Sequence, residues 1–257
     1  MALLTAVVVA LGSSFAPARA ASTQTPWQNL TPSKLTAVWW QWVFSVPVIN
    51  SPLYDETGAN AYSRQPYSNL LFLAGTFSIQ QLQNGDLKGE VTRSINVKRG
   101  IAFFFPLINT EWDNICGRPN LGGNCFGQDK FPHNLGVPKL QALAAAAPDS
   151  TTGLYTKLTP TNQTFDAATG DTQNILYPRL QSPPFSYKLP ATDNLYQYSG
   201  IDVSGTVSPA VADGYYSFVP GTLAPGYYKL EFGGSFPIND QGNTFSEAIT
   251  YNITVTE

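Results

Sequence analysis

"GYYSFVPGTLAPGYYKLEF", residues 214–232, and "AITYNITV", residues 248–255, decide the fold class. Tyr228, Leu230 and Phe232 alternate with Tyr227, Lys229 and Glu231. Further on, Ile249, Tyr251, Ile253 and Val255 alternate with Thr250, Asn252 and Thr254. A repeat of two is the period of a β-strand, and strict alternation places one face on a core and the other in water. "PGTLAPG", residues 220–226, is the turn between the first two strands. These segments predict a mainly β protein, an antiparallel β-sandwich of jelly-roll or immunoglobulin-like kind.

Earlier segments fit the same architecture. "NLLFLAGTF", residues 69–77, is a continuous apolar run, as expected of a strand buried on both faces. "EVTRSINV", residues 90–97, alternates, and "KRG" turns it into "IAFFFPLI", residues 101–108. Together they read as a hairpin feeding the sandwich core. Only "TPSKLTAVWWQWVFSVP", residues 31–47, has a helical period over its length. Thr31 can cap this helix, Pro32 suits its first position and Pro47 ends it. Leu35, Val38, Trp39, Trp42 and Val46 share one face, which makes Trp39 and Trp42 the plug that anchors the helix to the sheet. Trp40 and Phe44 form a second ridge, so Trp40 is either a second buried layer or a platform for a ligand. "VPKLQALAAAAP", residues 137–148, is a short second helix. Residues 148–183 are rich in turn formers and read as loops or irregular strands.

Composition narrows the class. Only 12% of the 257 residues are charged and 13% are aromatic, the reverse of a disordered chain. The apolar, uncharged residues 2–16 followed by Ala18-Arg19-Ala20 read as a leader cleaved after residue 20, leaving one domain over 21–257. No Lys or Arg precedes that apolar run, a departure from the usual leader pattern. Losing Arg19 makes the exported chain one unit more negative than the −3 of the full sequence. That mild acidity, without any Lys/Arg cluster, argues against nucleic acid as a partner. No later stretch is apolar enough to span a membrane. Cys116 and Cys125, with Gly and Pro between them, suit a disulfide closing a small loop outside the cell. A zinc site is a poor alternative, because there is one histidine and no second cysteine pair.

Few residues suggest chemistry. Glu111 and Asp113 in "NTEWDN", residues 109–114, would share one side of an extended strand. Such a pair can act as acid and base in glycoside hydrolysis. With Asn109 and Asn114 the same carboxylates could instead ligate Ca²⁺, and a solvated strand end is the plainest reading. Asp55 in "DETG" suits an Asx-type turn with Gly58 at positive φ, with a catalytic carboxylate as the alternative. Arg93 shares the register of Val91, Ile95 and Val97 and therefore needs a partner, for which Asp55, Glu111 and Asp113 are the candidates. If it faces a cleft it would recognise an anion or carboxylate. His133 is the only histidine, and no nucleophile elbow, zinc-protease or phosphate-loop motif accompanies it. Asn29, Asn162 and Asn252 each stand in N-x-T, a glycosylation acceptor where the source supports it.

"WWQWVFSVP", "SPLYDETG", "NLLFLAGTF", "IAFFFPLIN", "GYYSFVPGTLAPGYYKLEFGG" and "TYNITV" occur in this order from Trp39 to Val255. In that order and number they resemble a broad group of exported bacterial and archaeal β-rich proteins to which no activity is assigned. The resemblance implies one exported domain uniting the N- and C-terminal parts, and it supplies no catalytic residue. It also implies, in some relatives, a further cysteine pair near positions held here by Ala61 and Ile95.

The sequence is compatible with three functions. The first is a non-catalytic surface or glycan-binding module for a cell-surface polymer, suggested by the Tyr-rich strand faces. The second is a secreted carbohydrate-active hydrolase or lyase using Glu111, Asp113 or Asp55. The third is an envelope protein that self-associates through its strands.

Overall fold

A computed structural model describes residues 26–115 and 134–257. The leader, Cys116, Cys125 and His133 lie outside the described residues.

The described chain is mainly β, in two sheets. Its strands are β1 (Leu70–Phe72), β2 (Ile79–Gln81), β3 (Leu87–Lys98), β4 (Ala102–Asp113), β5 (Thr152–Thr161), β6 (Gln173–Asn174), β7 (Arg179–Gln181), β8 (Phe185–Leu189), β9 (Gly205–Val219), β10 (Gly226–Pro237) and β11 (Thr244–Thr256). Its α-helices are α1 (Pro32–Ser45), α2 (Val137–Asp149) and α3 (Leu195–Tyr198). One sheet runs β1-β4-β9, with β7 and β8 both paired to β9. The other runs β2-β3-β11-β10-β5-β6.

The sheets pack face to face through Phe103, Phe105, Leu107 and Val219 on one side and Val91, Ile95, Leu230, Phe232, Ile249 and Ile253 on the other. The Phe105 and Phe232 rings meet at 4.5 Å. Helix α1 covers the opposite face of the first sheet, burying Trp39, Trp42 and Val43 on Phe72, Phe104 and Tyr216. Its ends follow the expected rules: the Thr31 hydroxyl caps Lys34 N–H, and Pro32 opens the first turn. Near its other end the first sheet is covered on its inner face by α2, where Leu140 and Ala144 pack with Val211.

Two expectations need correction. Pairing is mixed rather than purely antiparallel, because β1 runs parallel to β4 and β3 parallel to β11. The "KRG" turn joins no hairpin either: β3 and β4 lie in different sheets. The physical reason is burial. Residues 102–107 are buried on both faces and need a layer on each side, which only the sheet beneath α1 provides. Every second side chain of β3 is exposed, so β3 belongs to the sheet with a wet face. "PGTLAPG" likewise carries the chain from β9 in one sheet to β10 in the other. The two crossings touch. A Cβ on Gly221 would lie 2.5 Å from the Gly100 carbonyl oxygen, so only glycine lets the backbones approach this closely.

Candidate functional site

A β-bulge at Leu107 arranges the polar residues of β4. Phe104 faces α1, whereas Phe103, Phe105 and Leu107 face the second sheet. The register with β9 then slips by one residue between Pro106 and Ile108, which reverses the parity. Asn109, Glu111 and Asp113 therefore share the α1 side, so the two carboxylates do lie on one side of the strand. Opposite them β9 presents Gly214, Ala212 and Ala210, whose small size leaves room for aromatic rings.

Those rings come from β8 and α3. Asp113 accepts hydrogen bonds from the Tyr187 hydroxyl, from the Tyr196 hydroxyl at 3.0 Å and from Ile115 N–H at 2.6 Å. Phe44 stacks on Tyr187 with centroids 4.2 Å apart and closes the group from the α1 side. Glu111 Oε1 is buried with no hydrogen-bond partner among the described residues. Burial, and then the Asp113 charge, push the Glu111 carboxyl well above the usual carboxylate range. Glu111, its pKa raised, thus sits two residues from an Asp113 held by three donors. The Ca²⁺ reading gains nothing from this geometry. The Asn109 amide donates to the Tyr216 hydroxyl, and Asn114 is bound to the backbone of Leu135 through both ends of its amide. No group of three His, Cys, Asp or Glu suited to a metal occurs among the described residues.

Asp55 and Arg93 lie elsewhere. The Asp55 carboxylate closes the expected turn, accepting from Thr57 N–H, the Thr57 hydroxyl and Asn60 N–H. Burial alone would raise its pKa, but these bonds together hold it below the ordinary value. Gly58 takes φ +99°, and a Cβ there would lie 2.4 Å from the Ser94 carbonyl oxygen, so the position requires glycine on both counts. Arg93 is 1% exposed. Its guanidinium donates to the carbonyls of Asp55, Ala74 and Gly75 and to the Tyr251 hydroxyl. It is an internal hub bound to backbone carbonyls and a phenol rather than to the side-chain carboxylates of Asp55, Glu111 or Asp113.

The carboxylate that answers Arg93 is Glu247, which is not among the three candidates its strand position suggested. Parity could have found it: Glu247 stands in the register of Ile249 and Tyr251, the buried face of β11. Glu247 Oε1 accepts Thr76 N–H at 2.7 Å. Burial raises its pKa, the Thr76 bond and the Arg93 charge draw it back, and the balance is about 7.

Glu247 opens onto a cavity of about 210 Å³. The walls include Trp39, Trp40, Phe77, Ile79, Ile108 and Phe245, and the polar groups that converge there are Asn109, Thr76 and Glu247. Trp40 is 6% exposed and stacks on Phe44, so it forms an inner wall rather than an open platform. Its Nε1 is buried beside the Tyr216 hydroxyl without the geometry of a hydrogen bond. A larger groove of about 690 Å³, between Trp27, Leu176 and Phe218, has no charged group in its walls. The smaller cavity has the features of a ligand site: apolar walls and a few convergent polar groups.

Glu247 and Glu111 also set a pH dependence. In both, the folded state holds the proton more tightly than the unfolded chain does. Their contribution is complete below about pH 4.5 and is lost as the pH rises through the folded value, near 7 for Glu247. Asp55 acts in the opposite sense, losing stability as the pH falls below about 4. Urea unfolding should therefore show greater stability at pH 5 than at pH 8, with Glu247 supplying on the order of 2 kcal/mol of the difference. Glu247→Gln should flatten the profile. Greater stability at pH 8 would overturn this account.

No protein-family model matches the chain, and no curated protein is found to match it. Among the described residues no helix is long and apolar enough to cross a membrane.

Proposed function

We propose that this protein is an exported, non-catalytic module that binds one sugar unit of a glycan or cell-surface polymer in the Trp40–Glu247 cavity. The observation that carries the reading is the convergence of Asn109, Thr76 and Glu247 within aromatic walls. Hydroxyls of a sugar suit the amide and carboxylate, and its C–H faces suit the indole and phenyl rings. A volume of about 210 Å³ lies below the roughly 300–1,000 Å³ of sites for drug-sized ligands, which favours a single ring over a larger molecule. The leader-like N-terminus and the resemblance to exported β-rich proteins support the location.

The raised pKa of the buried Glu111 beside a hydrogen-bonded Asp113 favours a second reading, a carbohydrate-active hydrolase, since unequal carboxyls are how such enzymes divide acid and base roles. Same-side neighbours on a strand stand about 6–7 Å apart along the backbone, within reach of that chemistry. Tyr187, Tyr196 and Phe44 nevertheless embed the Asp113 end of the pair.

A glycan array and product analysis on the same protein separate the two. Binding without cleavage is expected, and Glu247→Gln should weaken it about tenfold or more, the loss of one charge-assisted hydrogen bond. Silence across the array would sink the binding reading. Release of sugar that disappears in Glu111→Gln would replace it with the hydrolase.

A further inference from the structure

We propose that the cavity is the terminal subsite of a longer path, and that the ligand is a linear glycan held by its end unit, with the following units stacked on Phe77, Tyr54 and Tyr198. This rests on the cavity being the sugar site.

Phe77 belongs to the cavity wall and is also 43% exposed, so it forms part of the rim. Its ring meets Tyr54 edge-on at 6.0 Å, and Tyr54 meets Tyr198 at 4.7 Å. Each step is of the order of one pyranose ring. Tyr198 is 63% exposed, at the last position of α3. An exposed ring there contributes little to the core, yet three separate chain segments cooperate to hold the row together. Phe77 N–H donates to the Leu53 carbonyl, which fixes Phe77 beside Tyr54. A capping box between Asn194 and Gln197 sets α3. Val48 N–H and Ile49 N–H donate to the Asp193 carbonyl and carboxylate, tying the approach to α3 to the end of the α1 segment.

The chemistry favours a sugar chain. The Tyr54 and Tyr198 phenols are close enough for burial and the Tyr198 hydroxyl to raise the Tyr54 pKa, so aromatic faces and hydroxyl donors lie side by side. Faces of that kind stack on pyranose C–H groups while the hydroxyls bond to their rims. None of the three aromatic positions carries a charge. Phe77 belongs to both the cavity wall and the row, so it links the two.

The test is an array of neutral hexose and N-acetylhexosamine homopolymers, each from one to six units, probed with the full exported chain. Affinity should rise roughly three- to tenfold with each of the first added units, as expected for one stacked ring each, and then level off. Tyr198→Ala and Tyr54→Ala should abolish the gain with length and leave the single-unit affinity unchanged. Far-UV circular dichroism melting checks that the variants are folded. Equal affinity at every length, or a gain that persists in both variants, would overturn the path and leave the cavity reading standing. Silence toward every length, single units included, would overturn the cavity reading and this inference with it.

Discussion

Arg93→Ala is expected to lower the unfolding free energy by about 3–5 kcal/mol, the cost of breaking a buried charged network by removing one partner. Arg93 is fully buried, and it donates to three carbonyls and the Tyr251 hydroxyl. Truncation strips the Asp55 and Gly75 carbonyls of these donors, leaves the Ala74 carbonyl only the Tyr251 hydroxyl, and leaves Glu247 without the nearby positive charge. Each orphaned buried acceptor carries its own desolvation cost. The flanking segments differ in position: Asp55 follows the Leu53 turn, whereas Ala74 and Gly75 follow β1, so the guanidinium joins loop, strand end and β11 at one point. Arg93→Lys should recover only part of the loss, because an ammonium cannot reproduce the planar fork. Denaturant titration measures both variants. For a domain of this size the alanine variant should melt about 6–20 °C lower. An unchanged midpoint would mean that Arg93 has no structural role.

Trp42→Ala should cost about as much, 3–5 kcal/mol, for a different reason. Trp42 is 3% exposed, its ring 6.0 Å from Trp39 and 5.7 Å from Phe72, and its Nε1 donates to the Ser63 carbonyl at 2.8 Å. Alanine leaves a cavity between α1 and the sheet and an unsatisfied carbonyl. Trp42→Phe fills most of the cavity and loses only the hydrogen bond, so it should cost about 1–2 kcal/mol. The difference between the two variants, read by the same titration, separates packing from hydrogen bonding. Equal losses would show that the ring volume is unimportant.

Much of this was legible in the chain itself. The alternation of β10 and β11, the span of α1 with its Thr31 cap and Pro32, and the Asp55–Gly58 turn all depend on neighbours within a few residues. Local steric and hydrogen-bonding rules are enough to read them. Strand parity also showed that Arg93 faces inward, and the same rule applied to "FSEAIT" would have exposed Glu247.

Partnership is what the sequence could not supply. Residues 214–219 and 227–232 look like two arms of one hairpin, yet they enter different sheets, because β9 needs cover on both faces and β10 does not. The parallel union of β3 with β11 brings Arg93 alongside Tyr251 across more than 150 residues. The Leu107 bulge, invisible as a pattern, decides that Asn109 and Glu111 face α1. Backbone period and local capping therefore fix the strands of the C-terminal part, the main helix and the inward face of β3 and β11, but not β5, which lies in a stretch rich in turn formers, nor the faces beyond the bulge in β4. Only the tertiary structure decided which inward groups meet, because burial on two faces is a demand that distant segments satisfy together.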